Sequence, residues 1–472
     1  MSTITVTAAS AAKKFSTTTP GRLKLILTAG WIIAALVCVI TMASTYQRYH
    51  AVKTIGVDAA PSVVAAQEIK VALATLDVDV ANELIAKPGA AQSTLEDFNK
   101  WTTALASKQV DAAQNITYGD AEKKPILAMQ TASYEFFMAV QQARDAHNMG
   151  NEKAAIAAYE HELSVLNNQL LPQANNLEQA NSSQLDATYA NQHGQSWIAL
   201  GVVCATDLAM VALLFWAQLY LRRRFHRNFN PLLAGATALS IAFLALTVYS
   251  FGNQMNHLRE AKQDSYDSVI ALLGTKSEAY LANAAESRYL LDPDQAQLQE
   301  QYFFAQAAKL ANFQGGMTFD QALVNARAGR VTPMAQFSGL INNELSNITF
   351  QGPEYQKRYG YGEGDVATAM LAGWQQYILI DHKIRQLETS GQHQAALTLC
   401  LGTAPGQSNY AFAQFDSNLD KALTINEGEM NRDTALGFSD LALLPYAAPI
   451  VSLLLAGLLF FGIRPRLREY DI

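Results

Sequence analysis

Charge and cysteine are both scarce in this sequence. Only 16% of the 472 residues are charged, against 50% hydrophobic. That charge fraction is low for a soluble chain of this size, and its apolar residues gather in four blocks. Three cysteines occur, Cys38, Cys204 and Cys400, the first two inside apolar blocks. Cys400 therefore stands alone in the polar regions, which excludes an intrachain disulfide there and leaves stability to packing. The eight histidines are scattered, with no pair at metal-ligand spacing. There is no glycine-rich phosphate loop, no kinase signature and no legible nucleophile–base set, so neither cofactor nor enzymatic activity is expected.

What is present is apolar length. The blocks at 23–44, 197–221, 231–251 and 441–463 are each long enough to cross ~30 Å of hydrocarbon as a helix. The first is too long for a signal peptide and lacks a clear cleavage site after it. Lys13, Lys14, Arg22 and Lys24 flank the first block, Arg222, Arg223, Arg224 and Arg227 lie between the second and third, and Arg464, Arg466 and Arg468 follow the fourth. With four spans, all three clusters fall on one side, which the positive-inside rule makes the cytoplasm. The expected layout is a cytoplasmic N-terminus at 1–22, a cytoplasmic loop at 222–230 and a cytoplasmic tail at 464–472, in a multi-pass plasma-membrane protein. Residues 45–196 and 252–440 then lie outside. The whole chain is −7 and the cytoplasmic pieces are basic, so the outer segments are acidic. They are not suited to binding nucleic acid or an anionic membrane surface.

Both outer segments read as helix. Ile69, Leu73, Leu76, Val80 and Leu84 recur at spacings of four and three, and Lys87-Pro88-Gly89 ends that stretch. Further helices are expected over roughly 92–113 and 120–148, and from Asn151 on toward the second span, with Leu163, Leu166, Leu170, Ala174 and Leu177 on one face. The second segment begins with a helix that stops at Asp292-Pro293. It is broken at Gln314-Gly315-Gly316 and again at Arg330-Val331-Thr332-Pro333. Phe412, Phe415, Leu419 and Ala422 lead into the fourth span. The fold class expected is an all-α membrane protein with four transmembrane helices and two extracytoplasmic antiparallel helical bundles.

The segments also resemble each other in order. Ser62-Val63-Val64-Ala65 with Lys70 matches Ser268-Val269-Ile270-Ala271 with Lys276. Asn115-Ile116-Thr117-Tyr118 matches Asn347-Ile348-Thr349-Phe350. Arg144, Gly150 and Ala154-Ala155-Ile156 match Arg385, Gly391 and Ala395-Ala396-Leu397. The shared order points to an internal duplication, against chance similarity between alanine-rich helices. A duplicated unit gives one chain the arrangement that a two-span receptor obtains by dimerising.

Two cytoplasmic pieces, RRRFHRNFNPLLAGAT (222–237) and GIRPRLREY (462–470), carry a family resemblance. With the four-span layout, they resemble the membrane component that accompanies a glutamine-binding lipoprotein and a soluble serine/threonine kinase, protein kinase G, in actinobacteria. The resemblance implies an extracytoplasmic solute-binding protein as one partner, a cytoplasmic kinase as the other, and acidic amino acids as the signal. It implies a contact surface for the inner partner at Arg222, Arg223, Arg224, Arg227, Asn230, Pro231, Arg464, Arg466, Arg468 and Tyr470. Simple positive-inside anchoring explains the arginines equally, but not the asparagine, proline and tyrosine among them.

Two other features are candidates. Asp207 is the one ionisable residue well inside a span, where it costs at least ~2.5 kcal/mol. Thr28, Thr237, Ser240 and Thr247 are its expected hydrogen-bond partners. The loop FQGPEYQKRYGYGEGD (350–365) offers Tyr355, Tyr359 and Tyr361 as a contact face for an outer partner, or is an ordinary connection of unusual length. The cytoplasmic pieces are too short for a catalytic domain, so any output must come from a separate protein. Signal relay is the first expectation. An accessory subunit of a transporter is the second, and a transporter is the third, resting on Asp207 with Pro445 and Pro449 in the last span.

Overall fold

The computed structural model describes residues 18–90, 92–225, 230–328, 336–346, 348 and 352–470. They form sixteen α-helices and one minimal strand pair. Four helical stretches are long and apolar enough to cross a membrane: Thr19–Ile85, Glu152–Arg224, Pro231–Leu291 and Ser408–Arg468. The chain divides into two compact units. One draws on Met1–Thr54, Ala187–Arg259 and Asp433–Ile472, the other on Ile55–Asp186 and Glu260–Arg432.

The first unit holds α1 (Thr19–Lys53), the later part of α6 (Leu171–Phe225), α7 (Pro231–Arg259), the end of α15 (Ser408–Leu441) and α16 (Leu444–Arg468). Its polarity is that of a protein solvated by lipid. Ile32, Val39, Phe215 and Leu453 point outward, while Thr41, Asp207, Ser240 and Thr247 are buried. Leu23, Ile26, Leu214, Leu233, Leu459 and Ile463 form its main apolar cluster. Gly30 is required where α1 crosses α16, since a Cβ there would stand 2.0 Å from a Leu459 methyl. At the end of the unit opposite the arginine clusters, Arg48 is 1% exposed. It donates to Gln254 Oε1 at 2.9 Å and to the Ser196 carbonyl at 2.6 Å, and its guanidinium lies 4.2 Å from the Phe251 ring. Burial lowers its pKa to about 10.

The second unit opens, after a π-helical turn (Thr54–Ala59), with α2 (Ala60–Ile85). There follow α3 (Gln92–Gln114), α4 (Asp120–Asn148), α5 (Glu152–Val165), a second π turn (Leu166–Leu170) and the start of α6. The predicted stripe Ile69, Leu73, Leu76, Val80 and Leu84 is buried with Phe98, Phe136, Leu166, Leu170 and Leu177 in one core. A third π turn (Glu260–Tyr266) precedes α8 (Asp267–Leu291) and α9 (Ala296–Leu310). Strand β1 (Asn312–Phe313) pairs antiparallel with β2 (Phe337–Ser338), on either side of α10 (Phe319–Arg327), which starts from a Thr318–Gln321 capping box. The strand pair is a small departure from the helical expectation, pinned by Phe313 stacked on Phe337 at 4.6 Å. Then come α11 (Leu340–Ser346), α12 (Pro353–Tyr359), α13 (Glu363–Thr389), α14 (His393–Leu401) and α15. Phe303, Trp374, Tyr377, Phe412, Phe415 and Leu419 fill a second core.

Ile55–Asp186 and Glu260–Arg432 share this one unit because α2 and α8 pack against each other. Both helices are buried nearly all round, α2 from Ala60 to Ile85 and α8 from Ser268 to Leu290. A helix with apolar residues on every face needs partners on every face. Ser287 and Arg288 of α8 hydrogen-bond to Asn82 and Asp77 of α2, which marks the side of α8 that meets α2. Val71 and Ile85 of α2 belong to the second core, opposite the stripe that fills the first.

Candidate functional site

The packing of α2 on α8 leaves a cleft of about 610 Å³, walled by α2, α3, α8 and α15. Glu68, Thr75 and Asp79 come from α2. Asp97, Lys100, Trp101 and Lys108 come from α3, Lys276 and Tyr280 from α8, and Asp416, Asp420 and Glu427 from α15. The lining therefore has six carboxylates against three lysines. Lys276 Nζ lies 3.0 Å from Asp416 Oδ1 and 2.5 Å from Asp420 Oδ1, and Tyr280 donates to Asp416 Oδ2 at 3.0 Å. Burial works to lower the Lys276 pKa, but the two aspartates hold it above its ordinary value. Lys108 pairs with Glu68 at 2.7 Å. Trp101 meets Tyr280 edge-on at 6.4 Å.

Asp79 differs from its neighbours. It is 7% exposed, and its Oδ2 has no hydrogen-bond partner. Burial, then the charge of Asp97, pushes its pKa up to about 8. Glu427 is likewise raised, by burial first and Glu68 next, against the pull of Lys108.

A second polar cluster ties Ile55–Asp186 to Glu260–Arg432 within the same unit. Arg288 of α8 donates to Asp77 Oδ2 of α2 at 2.5 Å and to Gln299 Oε1 at 2.8 Å. Tyr159 of α5 donates to Asp77 Oδ1 at 2.6 Å. Ser287 donates to Asn82 Oδ1 at 2.6 Å. Asp77 and Glu162 are fully buried, and burial with the nearby Asp77 charge pushes the Glu162 carboxyl well above its usual range. A cavity of about 280 Å³ opens beside Tyr159, Arg288 and Gln299.

The residues singled out from sequence fall in three places. Arg222, Arg223 and Arg224 are exposed at the end of α6, and Arg227 lies outside the described residues. Asn230 caps α7, its Oδ1 accepting from the amides of Leu232 and Leu233, with Pro231 as the first helical residue. Its Nδ2 donates to the Gly462 carbonyl at 2.9 Å, so the loop and the start of the tail are neighbours. Arg464 stacks on Phe460 at 5.2 Å, Arg466 pairs with Glu469, and Arg468 and Tyr470 are exposed. Tyr355, Tyr359 and Tyr361 are half-buried. Tyr359 donates to Glu429 Oε1 at 3.1 Å beside the Arg358–Glu429 pair, and Tyr361 packs on the second core. Part of their loop is α12 and the start of α13, which shortens the irregular connection.

Asp207 sits on the buried face of α6 between Val203 and Met210, and its Oδ2 has no hydrogen-bond partner. The expected hydroxyl partners are not its partners. Thr28 and Thr247 donate to carbonyls of their own helices, Thr237 donates to the Leu233 carbonyl and accepts from Gln218, and the buried Ser240 hydroxyl is itself unbonded. A threonine in a helix has a carbonyl one turn back within easy reach, and that local bond wins.

Residues 51–190 match the family model described as an actinobacterial sensor domain. The match spans the end of α1, all of α2 to α5 and the early part of α6. It covers under a third of the chain and fits a sensor-type membrane protein. No curated protein and no solved structure matches the chain. The matched stretch supplies half of the cleft wall, from Glu68 to Lys108. Sequence reasoning missed the cleft. The usable signal was a pair of acids in the apolar stretch Val71–Ala81, Asp79 lining the cleft and Asp77 the neighbouring polar cluster.

Proposed function

We propose that this chain is a plasma-membrane signal relay with both termini in the cytoplasm. Its outer unit receives a signal, and its helices carry the change inward. The observation behind this reading is helical continuity. Thr19–Ile85, Glu152–Arg224 and Pro231–Leu291 each join a span to sensor-unit residues through unbroken α- and π-helical turns, and Ser408–Arg468 does so with a single turn at Ala442-Leu443. A shift of about 1–2 Å along such a helix suffices to change its far end.

In this reading the chain carries two copies of one unit, each a span, an antiparallel helical bundle and a second span. Several paired features support the duplication. Thr41 and Thr247, Ser44 and Ser250, and Arg48 and Gln254 are buried at one constant separation along the chain, the same that relates Lys70 to Lys276. Lys70 pairs with Glu178 on the last helix of its segment, as Lys276 pairs with Asp416 on the last helix of the other. Arg144 stacks on Phe98 and Arg385 on Phe303. Gly150 and Gly391 both end a helix with positive φ, with the same two turn hydrogen bonds around them. The π turns at Thr54 and Glu260 also begin at the shared separation.

The proposed outer partner is a solute-binding protein and the proposed inner partner a serine/threonine kinase. The neighbouring loop and tail are the inner docking face. Cross-linking in intact cells, followed by purification and identification of what is captured on each face, tests this. A binding protein outside and a kinase inside are expected. Capture of permease subunits alone would refute the relay in favour of a transporter accessory role.

A further inference from the structure

We propose that the cleft walled by α2, α3, α8 and α15 is a binding site for a small organic ammonium compound, an aliphatic amine or diamine. This deepens the sensor reading and rests on it for its physiological meaning, but not for its chemistry.

The charges of the cleft decide the class of ligand. Lys276 is held by Asp416 and Asp420, and Lys108 by Glu68. Among the described residues no lysine or arginine stands at ion-pair distance from Asp79, Asp97 or Glu427, and Lys100, 5.9 Å from the Trp101 ring, has no carboxylate at that distance, so three carboxyls face one unpaired lysine and the balance favours a cation. An anionic ligand would meet that excess, whereas a cation relieves it. The unpartnered Asp79 Oδ2, in a side chain more than nine-tenths buried, is open to a ligand donor, and a cation beside the carboxyl displaces the proton that burial favours there. An ammonium group carries up to three N–H donors for such an oxygen. Trp101 and Tyr280 add two aromatic rings to the same cleft. Aromatic faces attract alkylammonium groups and cover their carbon chains.

The same carboxylates do not suit a metal ion. Among the described residues no three of the cleft's carboxylates bring oxygens within 4.8 Å of one another. Spread charge of this kind fits an extended organic cation better than a compact inorganic one. The volume of about 610 Å³ accommodates a ligand of small-metabolite size with water. The cleft also joins the two copies. Asp79 and Trp101 belong to the first outer segment, and Tyr280, Asp416 and Glu427 to the second, so an occupant changes how the segments hold each other.

The test uses the full chain in lipid nanodiscs, with calorimetric titration of 1,4-diaminobutane and of two controls of similar length, 1,4-butanediol and glutarate. The diamine is expected to bind saturably and the controls not to bind. Asp79→Asn and Trp101→Leu should each weaken diamine binding by about tenfold or more. Asp79→Asn keeps the size and polarity of the side chain and is expected to keep the fold, which circular dichroism checks. Absence of diamine binding, equal binding of the diol, preference for glutarate, or undiminished affinity in both variants would each overturn the proposal. Purified protein that binds the diamine while no inner partner is recruited in cells would refute the relay and leave the site standing.

Discussion

Arg288 is the residue whose removal should cost the second unit most. Its guanidinium joins Asp77, Gln299 and the Tyr302 ring, and is 6% exposed. In Arg288→Met, Asp77 stays fully buried with only the Tyr159 hydroxyl still donating to it. Stranding one member of a buried ion pair costs about 3–5 kcal/mol. The chain has two units, so a single unfolding midpoint is a poor readout. Hydrogen exchange resolved to peptides from α2 and α8 is better, because it reports local opening. At about 1.4 kcal/mol per factor of ten, protection there should fall by roughly two to four orders of magnitude. Arg288→Met combined with Asp77→Asn removes the stranded charge yet leaves Tyr159 an acceptor. It should recover more than half of the loss. A fall of less than tenfold in the single variant, or no recovery in the double, would refute the claim that this pair clamps the two segments.

Two further outcomes follow from the buried acids. The raised pKa of Asp79, about 8 against an ordinary 3.8, means the folded protein holds a proton that the unfolded chain releases. The stability this contributes is present at low pH and is lost as pH rises through that window. Asp79→Asn should therefore match wild type near pH 4 and exceed it above pH 8 by roughly 1–3 kcal/mol, less than the ~6 kcal/mol ceiling set by the two values because the cleft is open to water. Melting temperature against pH measures it, and a variant less stable at high pH would count against the burial argument. Within the membrane unit, the unbonded Asp207 oxygen predicts that Asp207→Leu raises thermal stability in detergent by an amount equivalent to roughly 1–3 kcal/mol. A clear drop in melting temperature would mean that Asp207 has a structural partner. Stability gained with signalling lost would mark it as a functional group.

Much of the layout was legible in the sequence because its causes are local. Apolar length gave the four span candidates. The Lys87-Pro88-Gly89 stop and the helix start expected at Asn151 lie close to the observed helix ends, where Asn151 caps α5 and Gly150 has positive φ. The stripe from Ile69 to Leu84 named one core face correctly. Asp207 was legible as buried, but its bonding was not, because each candidate hydroxyl had a choice between a distant carboxyl and a carbonyl of its own helix. The tyrosines of 350–365 looked like an exposed face from composition. Tyr359 turns toward Glu429, seventy residues on, which no local pattern signals.

The sequence by itself determined where the longer helices run and which stretches suit a membrane, since each depends on neighbours within a turn or on simple length. Only the tertiary structure decided what covers the second face of α2. Helical periodicity marks one apolar stripe. Val71, Thr75 and Asp77 on other faces are buried only because α8, some two hundred residues later, lies against them. The cleft has the same origin. Asp79, Trp101, Lys276 and Asp416 are remote in sequence, and only the packing of four helices makes them one site.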